Sequence, residues 1–153
     1  MASSAGNKYL KAMKGREQLS LFQQPSELYK FTVTQNTFGP RCTSKCRVVD
    51  ASEGRCSVAF TVAEEHCNPL GTLHGGLTAT LVDIVTTNAL LCTPRAQPGV
   101  SVDLSVSYLG AAKLGEEANV YRMEDKKLLA IGNHTKAFPA YAKSDKKAAE
   151  FGV

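Results

Sequence analysis

The sequence predicts an α+β fold in which an antiparallel sheet wraps around one long buried helix. One segment, residues 75–92, has apolar residues at the three- and four-residue spacings of a helix. Several other segments have the alternation or composition of strands, and turn residues separate them. The chain has 153 residues, 43% of them hydrophobic and 21% charged, which fits one folded domain.

The first two strands are predicted at 45–49 and 55–62, joined by a hairpin turn at 51–54, which contains Glu53 and Gly54. In the second strand Cys56, Val58, Phe60 and Val62 share one face, and Ser57 and Thr61 share the other. This alternation is typical of a half-buried strand.

The helix of residues 75–92 is apolar around nearly its whole circumference. We therefore expect it to be buried on most sides. Thr93 and Pro94 end it. The residues at helical spacing are Leu77, Leu81, Ile84, Val85, Asn88 and Leu91.

Three strands are predicted after the helix. Residues 100–109 alternate most clearly, with Val102, Leu104, Val106 and Tyr108 on one face. Residues 116–123 form a weaker strand. The last strand, 127–138, has Leu129, Ile131 and Asn133 on one face.

Changes in composition along the chain predict three regions. Residues 1–41 form an N-terminal extension that is poorly ordered or partly helical, with breaks at 23–26 and 38–40. Residues 42–138 form the folded domain, and 139–153 form a polar tail. The extension is basic and poor in acids at its start, which is typical either of a mitochondrial transit peptide or of a frayed basic helix. We therefore expect a cytoplasmic protein, a mitochondrial protein, or both.

The charge and hydropathy exclude some classes of function. The formal charge is +4, but the basic residues are scattered, so we expect no nucleic-acid binding. No run of apolar residues approaches the ~18 that a membrane-spanning helix needs, so we expect no membrane span.

The cysteines number five, and no secretory signal is visible, so we expect reduced thiols and no disulfide framework. Cys42, Cys46, His66 and Cys67 lack the spacing of a zinc site. We expect no metal and no cofactor.

The start of the helix carries residues suited to catalysis. The first N–H groups of a helix have no partner within the helix, and glycine lets a ligand approach them closely. The sequence His74-Gly75-Gly76 could therefore hold a developing oxyanion, and Asp83 could act as a general base. The alternative is structural: the glycines permit close packing, His74 caps the helix, and Asp83 is a satisfied acid. Spacing alone leaves both interpretations open.

The helix geometry separates the two parts of this motif. Asp83 lies nine residues after His74, which is ~13 Å along the axis and ~180° around it. If both residues serve one reaction centre, Asp83 must come from a second subunit. The motif therefore predicts an interfacial site.

Several stretches resemble a known family: "HCNPLGTLHGGLTATLVD", "LLCTPRAQPGVSVDLSVSYL", "AKLGE" and "GNHTK". They are similar to the hot-dog fold acyl-coenzyme A thioesterases of the phenylacetate-thioesterase-like group. The strong part of the resemblance covers residues 46–113, and a shorter part covers 128–136. It implies hydrolysis of medium- to long-chain fatty acyl-coenzyme A thioesters by a homodimer or homotetramer with interfacial active sites. It also implies that no metal takes part.

The resemblance implies a role for each matched residue. The Gly75 N–H polarises the thioester carbonyl, with Asn68 and His74 beside it. Asp83 of the partner subunit activates water, and Ser101 holds that acid or the water. The resemblance also implies substrate-binding positions, with coenzyme A along 108–113: Gly76, Asp103, Tyr108, Lys113 and His134.

The chain also departs from the family. Residues 18–41 are an insertion, and only residues 117–131 lie between Glu116 and Gly132, about half of what the family has there. The sheet is therefore expected to lack one strand, and because antiparallel strands alternate in direction, the last strand would be reversed. The alternative function is non-catalytic acyl-coenzyme A binding, or a role as a dimerisation partner. A hydratase of the same fold fits less well, because the usual hydratase motif has a different Asp-to-His spacing.

Overall fold

The computed structural model describes residues 38–119 and 125–139. Nearly all of the predicted N-terminal extension and the polar tail lie outside the described residues, including the segment that resembles a transit peptide. The described chain begins with helix α1 (Phe38–Thr43), so the break predicted at 38–40 is wrong. Proline is tolerated in the first turn of a helix because no backbone N–H is required there. The Thr43 hydroxyl donates to the Gly39 carbonyl at 2.9 Å.

Strands β1 (Arg47–Ser52) and β2 (Arg55–Thr61) form the predicted hairpin. Two residues connect them, and the second, Gly54, has φ 71°, a conformation that glycine adopts without strain. On the apolar face of β2, Val58 and Phe60 are buried, as the alternation predicts. A short 3-10 turn (Glu64–His66) follows and leads towards the long helix.

Helix α2 (Gly75–Leu91) begins at the predicted residue and ends one residue before the predicted end, with Cys92 at its C-cap. Only Val82, Asn88 and Leu91 are buried in it. The expectation that it is buried on most sides is therefore wrong for the single chain. The strands of one chain cover one flank of the helix and leave the rest half-exposed.

Strands β3 (Val100–Tyr108) and β5 (Ala130–Ala137) pair antiparallel. At Gly132, strand β5 lies so close to α2 that an added Cβ would be 2.5 Å from Val82 Cγ1. The helix-facing side of β5 is therefore the side of Gly132 and His134. Ile131, on the other side, is 50% exposed, so the face that carries Ile131 and Asn133 is not the buried one.

Strand β4 (Glu117–Ala118) has two residues and pairs with β2. The predicted strand 116–123 is observed only there, and residues 120–124 lie outside the described part. Among the described strands, β1-β2-β4 form one sheet and β3-β5 another. Within the described residues, the expected single sheet is thus divided in two.

The residues directly before β5 contact the loop between β3 and β4, where Leu109 and Gly110 donate backbone N–H groups to the Leu129 carbonyl at 2.8 and 3.1 Å. Strand β5 runs antiparallel to β3, and "GNHTK" pairs with residues 101–106.

Candidate active site

The residues predicted to act in catalysis or binding lie mainly in two clusters along α2. The first surrounds the start of the helix, and the second lies near its middle.

The start of α2 is capped by His74. The His74 Nδ1 accepts a hydrogen bond from the Gly76 N–H at 2.9 Å, and the His74 N–H donates to the His66 carbonyl at 2.8 Å. Because Nδ1 is an acceptor, the network assigns the ring proton to Nε2. His74 thus caps the helix, as the structural alternative predicted. Its exposed Nε2–H remains able to donate to a ligand.

Gly75 presents its backbone at this cap. The Gly76 N–H is taken by His74, whereas no hydrogen-bond acceptor meets the Gly75 N–H among residues 38–119 and 125–139. The Tyr108 hydroxyl donates to the Gly75 carbonyl at 3.0 Å, and its ring would lie 3.3 Å from an added Cβ. Tyr108 therefore fixes the orientation of this peptide and leaves little room for a larger side chain.

Asn68 shapes the loop before the helix. Its Oδ1 accepts from the Leu70 N–H at 2.9 Å, and its Nδ2 donates to the Thr72 hydroxyl at 2.9 Å. Lys113 lies on the other side of this loop, where it pairs with Thr72, and its side chain is exposed. The structure thus brings together six of the predicted residues at one end of α2: Asn68, His74, Gly75, Gly76, Tyr108 and Lys113.

The second cluster surrounds Asp83. This carboxylate is 44% exposed in the single chain, and its Oδ1 lies 3.6 Å from His134 Nε2 and 3.9 Å from Lys136 Nζ. Asp83 therefore lies on a half-exposed face of α2 and has two basic neighbours.

His134 connects the helix to β3. Its side chain is 1% exposed, with Nδ1 at 2.7 Å from the Thr86 hydroxyl and Nε2 at 2.9 Å from the Ser101 hydroxyl. Burial lowers the pKa of His134, and the Lys136 ammonium lowers it further, against the opposing effect of Asp83 and Asp103. We therefore expect a neutral imidazole near pH 7.

The tautomer of His134 follows from Thr86. The Thr86 hydroxyl lies 2.7 Å from the Val82 carbonyl, to which it donates. It then accepts from the His134 Nδ1–H, which leaves Nε2 to accept the Ser101 O–H. The Ser101 lone pairs stay available next to Asp83. This arrangement is suited to orienting a water molecule.

Two members of this cluster were not predicted from the sequence, Thr86 and Lys136. Lys136 is two residues after His134 on a strand, and Thr86 is three residues after Asp83 on a helix, so each shares a face with its predicted neighbour. The burial of Lys136 lowers its pKa, while Asp83 raises it. Asp103 pairs with Thr135 and is exposed, and it acts on the cluster only through the effect of its charge on His134.

The described residues show no group suited to a metal and no helix long and apolar enough to cross a bilayer. All five cysteines are free thiols. Burial raises the pKa of Cys46 and Cys56 to about 12, so these thiols are not nucleophilic at neutral pH.

Comparison with known proteins places these clusters in context. Residues 70–123 match the model of the thioesterase superfamily. The chain is 42% identical to acyl-coenzyme A thioesterase 13 of Homo sapiens over 135 residues, which cover 76% of this chain and 96% of that protein. The crystal structure of zebrafish thioesterase superfamily member 2 is similar with a TM-score of 0.66 and 34% identity, over 75% of this chain and 96% of the other. For the Mus musculus protein of that name the TM-score is 0.59, also at 34% identity, over 88% and 97%.

Proposed function

This chain belongs to the thioesterase superfamily, and from that membership we infer that it is an enzyme that hydrolyses acyl-coenzyme A thioesters with the hot-dog fold of the family. We propose further that the substrates are medium- to long-chain fatty acyl thioesters. The observation that supports the chemistry is the pair of clusters on α2: a free N–H at a helix start, and a carboxylate beside a hydrogen-bonded serine.

The first step of the proposed mechanism is activation of water. The Asp83 carboxylate accepts a proton from a water molecule whose other proton is held by the Ser101 hydroxyl oxygen. His134 orients that hydroxyl, since its Nε2 accepts a hydrogen bond from the Ser101 O–H at 2.9 Å. The water is thus oriented with a lone pair towards the thioester carbon.

The second step is stabilisation of the tetrahedral intermediate. As the water oxygen bonds to the carbonyl carbon, negative charge develops on the carbonyl oxygen. The Gly75 N–H donates to it at the positive end of the helix, and the exposed His74 Nε2–H is a second donor. The C–S bond then breaks as the carbonyl re-forms, the coenzyme A thiolate leaves and takes up the proton held by Asp83, and the free acid remains beside a regenerated carboxylate.

We propose that the two clusters of one site belong to different subunits. Because α2 starts at Gly75, the nine residues from His74 to Asp83 correspond to ~13 Å and ~180°. Strand β3 offers a surface for pairing of subunits: Val100, Val102 and Tyr108 are 48%, 65% and 55% exposed. Exposed apolar patches of this kind are typical of protein interfaces.

The activity is tested by release of free thiol from palmitoyl-coenzyme A by the purified chain. Sustained release supports the enzyme. Tight binding of acyl-coenzyme A without release would favour the alternative function, a binder whose divided sheet no longer supports catalysis.

The shared site is tested by complementation. Gly75→Pro removes the proposed oxyanion donor, and Asp83→Asn removes the proposed base. In a mixed dimer, one site collects both changes and the other is wild type, so subunit exchange between two inactive proteins should restore activity. If mass spectrometry confirms exchange and no activity returns, Gly75 and Asp83 act within one chain.

A further inference from the structure

The loop before α2 is closed at its base by His66. The His74 N–H donates to the His66 carbonyl at 2.8 Å, and further up the loop the Asn68 N–H donates to the Thr72 carbonyl at 2.8 Å. Asn68 and His74 thus lie on the two sides of one small hairpin that starts at His66. The place of His74, and of the Gly75 N–H that follows it, therefore depends on where the His66 carbonyl lies.

The side chain of His66 is buried beneath this loop. The residue is 5% exposed, and the His66 and Phe60 rings meet edge to face, with centroids 5.3 Å apart and an interplanar angle of 84°. The His66 Nδ1 accepts from the Ala63 N–H at 3.1 Å, and the His66 N–H donates to the Ala63 carbonyl at 2.9 Å. Both the ring and the backbone of His66 are thus attached to the segment that follows β2.

The bond at Nδ1 requires a neutral imidazole, because a protonated ring has no acceptor. Burial lowers the pKa of His66, and the Lys45 ammonium lowers it further, against the opposing effects of Glu65 and the Thr61 backbone. Lys45 and Glu65 also form an ion pair with each other. The ring is therefore neutral near pH 7 and keeps its bond to Ala63.

We propose that His66 is a positioning residue for the thioesterase reaction. Its ring, held by Phe60 and Ala63, fixes the carbonyl that receives the His74 N–H, and through His74 it places the Gly75 N–H. The inference rests on the proposed function, because it takes the Gly75 N–H to be the oxyanion donor. Misplacement of catalytic groups by ~1 Å can cost ~10²-fold in turnover, so a small displacement of this carbonyl has a measurable effect.

Two substitutions of the same shape isolate the bond to Ala63. Leucine and asparagine are both branched at Cγ, and the asparagine Oδ1 lies as many bonds from the backbone as the histidine Nδ1. His66→Leu has no acceptor and should lower turnover of saturating palmitoyl-coenzyme A by about tenfold or more. His66→Asn can accept from the Ala63 N–H and should recover most of that loss. Equal turnover in the two folded variants would overturn the proposal.

A core variant separates positioning from a loss of stability. Val48→Ala leaves a cavity beneath β1, where Val48 is 2% exposed, and destabilises the fold without removing a bond of the loop. It should keep wild-type turnover at temperatures where it is folded. A fall in turnover as large as that of His66→Leu would show that turnover follows stability alone. If His66→Leu does not fold, His66→Gln replaces it, since its amide lies one bond further out than Nδ1.

The position of the helix start is measured independently of hydrolysis by NMR of a chain labelled with ¹⁵N-glycine. The amide signals of Gly75 and Gly76 should shift in His66→Leu and stay near their wild-type values in His66→Asn. Unshifted signals in folded His66→Leu would overturn the proposal. If the wild-type chain releases no thiol but the signals respond as expected, the proposed hydrolysis fails while the control of the helix start by His66 is confirmed.

Discussion

The contact between Gly132 and Val82 positions the strand that carries His134 against the helix that carries Asp83. In Gly132→Ala the new Cβ would lie 2.5 Å from Val82 Cγ1 and 3.0 Å from Cγ2. Carbon atoms in contact prefer about 3.5–4.0 Å, so the helix and strand must separate by about 1 Å. Overpacking of this kind costs about 1–3 kcal/mol of unfolding free energy. Misplacement of catalytic groups by ~1 Å can cost ~10²-fold in turnover.

Urea denaturation and thiol release measure these two effects. Val82→Ala supplies the rescue, because with both γ-carbons removed the nearest atom is Val82 Cβ at 3.3 Å. The unfolding free energy of the double variant should exceed the value expected from adding the two single-variant effects by about 0.5–3 kcal/mol. Gly110→Ala is the matched control, since its Cβ would meet the flexible end of Leu129 at 3.3 Å. If Gly132→Ala unfolds at the same urea concentration as wild type, the close approach of β5 to α2 is wrong.

Three further predictions concern the start of the helix and the histidines. Gly75→Pro should lower turnover by about 10²–10³-fold. Gly75→Ala keeps the N–H and adds the same contact with Tyr108, so its turnover should fall less. Equal losses of turnover would exclude the oxyanion role. Tyr108→Phe removes the 3.0 Å hydrogen bond to the Gly75 carbonyl and should cost about 0.5–1.5 kcal/mol, which urea denaturation would detect; no change would show that this bond does not hold the helix start. Burial lowers the pKa of both His66 and His134 from 6.5, so the unfolded chain takes up protons at higher pH than the folded chain. The histidine contribution to stability is therefore complete above pH 6.5 and is lost as the pH falls through the lowered pKa values. Replacing both histidines by glutamine should make the melting temperature less dependent on pH between about pH 7 and pH 5. An unchanged dependence of melting temperature on pH would refute this.

Much of the fold could be predicted from local patterns. The helical spacing of the apolar residues identifies α2, and Thr93 with Pro94 indicates its end. Alternation identifies β2 and β3. These signals are reliable because each depends on residues that are neighbours in sequence.

Other features depend on contacts between distant segments. Ile131 is apolar, yet the side of Gly132 faces the helix because β5 and α2 approach too closely for a larger side chain. The proximity of Lys136 to Asp83 requires the packing of β5 against α2, which no local pattern shows.

The measurement that tests the central claim most directly is turnover of palmitoyl-coenzyme A by Asp83→Asn. The change keeps the size of the side chain and removes the carboxylate. Turnover should fall about 10²-fold or more, while binding of the substrate is retained. Asp50→Asn, the same change at an exposed acid of β1, should keep wild-type turnover. A folded Asp83→Asn protein that releases thiol at the wild-type rate would contradict the assignment of Asp83 as the base that activates water.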